Sequence, residues 1–78
     1  MTPTPADLAA LLRMVRFHAL FDGTPRGEPA VEPHLDALVR LGFAVKHDRW
    51  CDITPAGRVE AARHERAGAA ATPEGTKR

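Results

Sequence analysis

Lys46, His47, Arg49 and Trp50 are the densest group of chemistry-bearing side chains in this chain. Two cations, an imidazole and an indole on a short turn suit a polyanion. Positive charge meets phosphate, and a ring can lie along a groove wall or a sugar. A solvated turn whose lysine stem covers the tryptophan is the alternative; that cation–π contact is worth about 0.5–1 kcal/mol when exposed. Arg40 and Arg58 flank the group and extend the candidate nucleic-acid contact. Arg63 and Arg66 follow on the last helix, where Glu60 and Glu65 balance them as a wet face.

Other chemistry is thinner. His18, His34, His47 and His64 are scattered, and Cys51 is the one cysteine. That spacing holds no metal, so neither a metal nor another cofactor is expected. Cys51 falls inward in a strand pattern, a small hydrophobe rather than a nucleophile. Gly23, Gly27 and Gly42 are each accounted for by a turn or a cap, so no glycine-rich loop cradles a phosphate. An enzyme is not expected. His18 lies on the apolar face of the first helix, where a hydrogen-bonded core histidine is simpler than a ligand or a proton switch.

The elements that position these residues can be read in order. Thr4-Pro5-Ala6-Asp7 starts a helix: a capping threonine, a proline in the first turn and an acid that reaches back to the cap. The helix should run from Pro5 to Phe21. Its apolar face carries Leu8, Leu11, Leu12, Val15, His18 and Ala19, with Arg13 and Arg16 on the wet side. Met14, Phe17 and Phe21 broaden that face beyond one core contact, which marks them as a candidate dimer or partner interface. The segment from Asp22 to Pro29 holds two glycines and two prolines and reads as a loop.

A second helix begins between Ala30 and Pro33, buries Val31, Leu35, Leu38 and Val39, and ends at Leu41-Gly42-Phe43 with Gly42 left-handed. Residues Phe43 to Ile53 form a hairpin. A three-residue loop, His47-Asp48-Arg49, would put Phe43, Val45, Cys51 and Ile53 inside and set Lys46 beside Trp50. A two-residue loop would instead set apolar Val45 against Asp52, so the first register is expected. Thr54-Pro55 caps a third helix that should stop at Gly68.

The fold class is therefore α+β, mainly α, with three helices and one β-hairpin. With 78 residues, one domain over residues 1–68 is expected, followed by a disordered tail over 69–78. Net charge is +1, so bulk charge gives no argument for nucleic acid or an anionic membrane. No apolar run approaches the roughly 20 residues of a membrane span, and Met1-Thr2-Pro3-Thr4-Pro5 has no basic leader. With its lone cysteine, the chain is expected to be cytoplasmic. Aromatic residues are few, so the core must be Leu, Val and Ala, and a core that small gains from a homodimer.

The run Leu35-Asp36-Ala37-Leu38-Val39-Arg40-Leu41-Gly42-Phe43-Ala44-Val45, then Trp50-Cys51-Asp52-Ile53-Thr54-Pro55-Ala56-Gly57-Arg58, resembles the closing half of winged-helix transcription regulators. It is similar to the multiple-antibiotic-resistance (MarR) and phenolic-acid-response (PadR) regulators, where a spaced-leucine helix, a wing and a Leu-Thr-x-x-Gly strand end follow one another. The resemblance covers about a third of the chain and implies a winged-helix-like fold and DNA binding. The loop from Asp22 to Pro29 stands where those families carry another helix, so the motif is truncated. The outward face of the second helix carries Glu32, Pro33, Asp36, Ala37 and Arg40, which is not a base-reading set. Two functions are open: a small DNA-binding regulator or accessory factor that touches the backbone through its wing, or a protein-interaction module of winged-helix shape.

Overall fold

Both of the long helices that frame the molecule begin at a threonine–proline pair. In α1 (Pro5–Phe21), Thr4 Oγ1 accepts the Asp7 N–H at 3.0 Å, and the Asp7 carboxylate accepts the Thr4 N–H at 3.1 Å. This reciprocal pairing satisfies two N–H groups that no helical carbonyl can reach. The α1 helix closes on Asp22, left-handed at φ 63°, whose N–H reaches the His18 carbonyl at 2.9 Å. The structure is a computed structural model that describes residues 2–71, with side chains described through residue 66.

Helix α2 (Glu32–Arg40) carries Pro33 in its first turn, as a missing N–H requires. It ends with the Gly42 N–H on the Val39 carbonyl at 3.0 Å and the Phe43 N–H on the Leu38 carbonyl at 2.9 Å. That crossed pair needs the positive φ of 81° that Gly42 supplies. The chain then turns directly into β2 (Ala44–Lys46), returns as β3 (Trp50–Ile53) and enters α3 (Pro55–Ala71). Thr54 links these parts: its hydroxyl donates to the Gly42 carbonyl at 2.6 Å and accepts the Gly57 N–H at 3.0 Å. One side chain thereby caps α3 and ties it to the end of α2.

A third strand, β1 (Thr24–Pro25), lies in the segment expected to be loop. It pairs antiparallel with β3, Thr24 opposite Cys51 and Pro25 opposite Trp50, and the sheet order is β1-β3-β2. Two residues are too few for any alternation in the sequence to reveal. The element order helix, strand, helix, hairpin, helix defines an α+β fold, mainly α, of winged-helix-like topology with β2–β3 as the wing.

The core lies where α1, α2 and the sheet meet: Leu11 and Met14 from α1, Val31, Leu35 and Leu38 from α2 and the residue before it, and Ala44, Cys51 and Ile53 from the wing, with Ala61 of α3 at its edge. Leu12, Val15 and Phe43 pack against it in part. Met14 is fully buried, which removes it from the expected interface. Ala19, expected inward, is exposed. Helix α3 continues through Gly68 to Ala71 rather than stopping there, and the rest of the expected tail lies outside the described residues.

The wing takes the other register. Ala44 faces Ile53, Val45 faces Asp52 and Lys46 faces Cys51; the His47 N–H donates to the Trp50 carbonyl at 2.9 Å around a two-residue turn, Asp48-Arg49. Ala44 is thus inside and Val45 outside, at 41 % exposure. The apolar-against-charge pairing that argued against this register is no conflict. Asp52 accepts from His18 Nδ1 of α1 at 2.9 Å and from the Ile53 N–H at 2.8 Å, so its charge is answered.

Candidate functional site

The wing tip and the outward face of α2 form one polar surface. Glu32, Asp36 and Arg40 recur one helical turn apart, so they stand in a row on α2. Glu32 is held by a residue outside the expected contact set, Arg26. Arg26 donates to it from Nε at 3.1 Å and from Nη2 at 2.9 Å, a two-pronged pair. The Gly27 N–H adds a third bond to Glu32 at 2.9 Å. Arg26 also donates from Nη1 to the His47 carbonyl at 2.7 Å, and its N–H donates to the Arg49 carbonyl at 3.0 Å. The Asp22–Pro29 segment is thereby stapled to both α2 and the wing. A signal existed: a lone arginine just ahead of a helix with a glutamate in its first turn.

Asp36, one turn on, accepts from Lys46 Nζ at 2.6 Å. This contact replaces the expected stacking of Lys46 on Trp50. Lys46 faces Cys51 across the strands and its stem leaves over the sheet edge toward α2, while Trp50 points to the other face. His47 takes the ring instead, stacking on Trp50 with centroids 4.1 Å apart and 21° between planes. Arg49 at the turn and Arg40 at the end of α2 are exposed, and neither has an ion-pair partner among the described residues. Arg58 stands apart from this group. It borders a shallow hollow between α1 and α3 with Val15, Ala61, Ala62 and Glu65, so it does not extend the wing-tip surface.

These contacts make the surface sensitive to acid. The Arg26 guanidinium, helped by the Gly27 N–H, pulls the Glu32 carboxyl from 4.5 down to about 2. Lys46 lowers Asp36, and the Thr4 N–H lowers Asp7. Each group is more acidic folded than unfolded. The stabilisation is therefore full above the unfolded-chain values near 4 and is lost as pH falls through the folded ones. The urea midpoint should fall between about pH 5 and about pH 2, and Glu32→Gln should flatten that fall while lowering the midpoint at neutral pH. A midpoint independent of pH over that range would remove these ion pairs from the stability of the fold.

The second feature is a groove of about 500 Å³ between the C-terminal half of α1 and the β1–β3 edge. Phe17, Phe21, Pro25 and Trp50 line it, and Asp22 and Arg49 border it. Phe17 and Phe21 have ring centroids 6.0 Å apart. Phe21 is 68 % exposed and Leu20 beside it 74 %. Phe17 is half-buried and Phe21 exposed.

Cys51 is buried, burial pushes its thiol up, and Sγ donates to the Thr24 carbonyl at 3.6 Å. A thiol held protonated and out of reach is a poor nucleophile. His18 is half-buried and engaged by Asp52, and His34 is paired with Asp7 of α1 at 3.2 Å. Both histidines thus cross-link elements. Among the described residues no three metal-ligating side chains cluster, and no helix is long and apolar enough to cross a membrane. Comparison with protein-family models, curated proteins and solved structures gives no match.

Proposed function

We propose that the protein is a small winged-helix-like DNA-binding protein, a regulator or accessory factor that grips the duplex backbone through the wing tip and the end of α2. One observation carries the reading: both outward carboxylates of α2 are answered inside the chain. Glu32 is taken by Arg26 and Asp36 by Lys46, which leaves Arg40 at the end of α2 and Arg49 at the wing turn exposed and without an ion-pair partner among the described residues. Phosphate approaching this surface meets two arginines rather than two acids. The resemblance of the run from Leu35 to Arg58 to winged-helix regulators supports the same reading. Pro33 and Ala37 offer no hydrogen bonds to base edges, so the contact is to the backbone with weak sequence preference.

Binding to generic duplex should be measurable at about 50 mM salt and should weaken as salt rises. Arg40→Ala and Arg49→Ala should each reduce the slope of log affinity against log salt by about 0.9. They should do so alike on unrelated sequences. No binding at low salt, or an affinity indifferent to salt, would overturn the proposal. The apolar groove favours a second reading, a protein-interaction module of the same shape. It predicts no duplex binding and a partner contact indifferent to Arg40→Ala.

A further inference from the structure

The groove beside α1 shares Arg49 and Trp50 with the surface proposed for DNA, but its chemistry is otherwise poor for DNA. Its lining is mainly apolar, and Asp22 on its rim repels phosphate. The end of the chain is an unsuitable occupant too, since residues 72–78, Thr-Pro-Glu-Gly-Thr-Lys-Arg, offer no large apolar side chain to fill it.

We propose that this groove is the two-fold interface of a homodimer, in which Leu20 and Phe21 of each copy enter the groove of the other and Asp22 of each copy pairs with Arg49 of its partner. Two features make the face complementary to itself. First, it carries both a projection and a hollow: Phe21, mostly exposed at the end of α1, lines the same recess as Phe17, Pro25 and Trp50, and exposed Leu20 is its neighbour along the helix. An isologous contact needs both on one patch, because each residue that inserts on one side receives on the other. Second, the rim carries one acid and one base. Asp22 and Arg49 both border the groove, and neither has an ion-pair partner among the described residues. A two-fold axis sets each against the opposite charge twice. The aromatic anchors lie at the centre and the charges at the edge, the usual arrangement of an interface.

Sedimentation equilibrium on the full chain tests this. The wild type should dimerise at or below about 500 µM, the range of a small contact. Phe21→Ser should weaken dimerisation about tenfold or more, as removal of a central aromatic anchor does. Phe21 is exposed, so the fold should survive, checked by an unchanged helical signal.

A charge exchange makes the test specific. Arg49→Glu sets an acid against Asp22 in each half of its dimer, and Asp22→Lys sets a base against Arg49 in each half. Each variant alone should be monomeric. Mixed in equal amounts, they should form a heterodimer, because both cross-pairs are then opposite in sign. A monomeric wild type at the highest concentration would overturn the proposal. So would a dimer indifferent to Phe21→Ser, or a mixture of the two charge variants that fails to associate. These readouts involve no DNA, and the Phe21→Ser arm leaves Arg49 untouched, so its outcome is separate from that of the salt titration.

Discussion

Replacing Gly57 with alanine is expected to destabilise the fold by about 3 kcal/mol. In a domain this small, that is a drop of about 15 °C in the thermal midpoint. Gly57 sits in the first turn of α3, and an alanine there would ordinarily help, because it costs less backbone entropy in a helix. The neighbourhood reverses the sign. A Cβ on Gly57 would lie on the Phe43 carbonyl oxygen and 2.7 Å from Ile53 Cγ1. The carbonyl cannot step aside easily, because it accepts the Thr54 N–H at 2.9 Å. Relief would require moving α3 away from the sheet, which loosens Ile53 and breaks the Thr54 bridge to Gly42. Thermal and urea melts of Gly57→Ala beside exposed Ala56→Ser measure the effect. A Gly57→Ala midpoint within a degree or two of wild type would show that α3 is free to shift.

Met14→Ala carries the second large expected loss, about 3 kcal/mol, the cost of deleting a long apolar side chain and leaving a cavity. Met14 is 0 % exposed and packs with Leu11, Leu35 and Leu38 where α1 crosses α2. The contrast with Phe21→Ser is the useful part. Phe21 lies two turns further along the same helix and is mostly exposed, so its loss should leave the unfolding free energy of the dilute chain within about 0.5 kcal/mol of wild type. One face of α1 therefore divides along its length, core at Met14 and open surface at Phe21. Equal losses at the two positions would mean that Phe21 is buried in the folded chain.

The ion pairs around α2 bear on the proposed function. Counted in sequence, the helix face carries two acids and one arginine, a poor surface for DNA. Counted in space, Arg26 comes in from the preceding segment and Lys46 from the wing, and each takes one acid. The same pairing removes Lys46 from the free cations and brings Arg40 forward. The segment from Asp22 to Pro29 also changes meaning. It holds a short strand and an arginine staple, which tie the wing to α2.

Local chemistry made much of the fold legible in the sequence. The bounds of α1 follow from Thr4, Pro5 and Asp7, and the end of α2 follows from Gly42; each signal acts over three or four residues and needs nothing distant. The inward placement of Cys51 and Ile53 was also legible, because strand alternation is a property of the strand alone. Tertiary structure decided what depends on partners remote in sequence. The wing register turned on Asp52, whose charge is answered by His18, thirty-four residues away. Strand β1 exists only because β3 accepts it. Met14 and Phe21 share one apolar face of a helix, and only the placement of α2 and the sheet buries the first and leaves the second open. Caps and alternation are set by neighbours along the chain, whereas register, ion pairing and exposure are set by whichever groups the fold brings within a few ångströms.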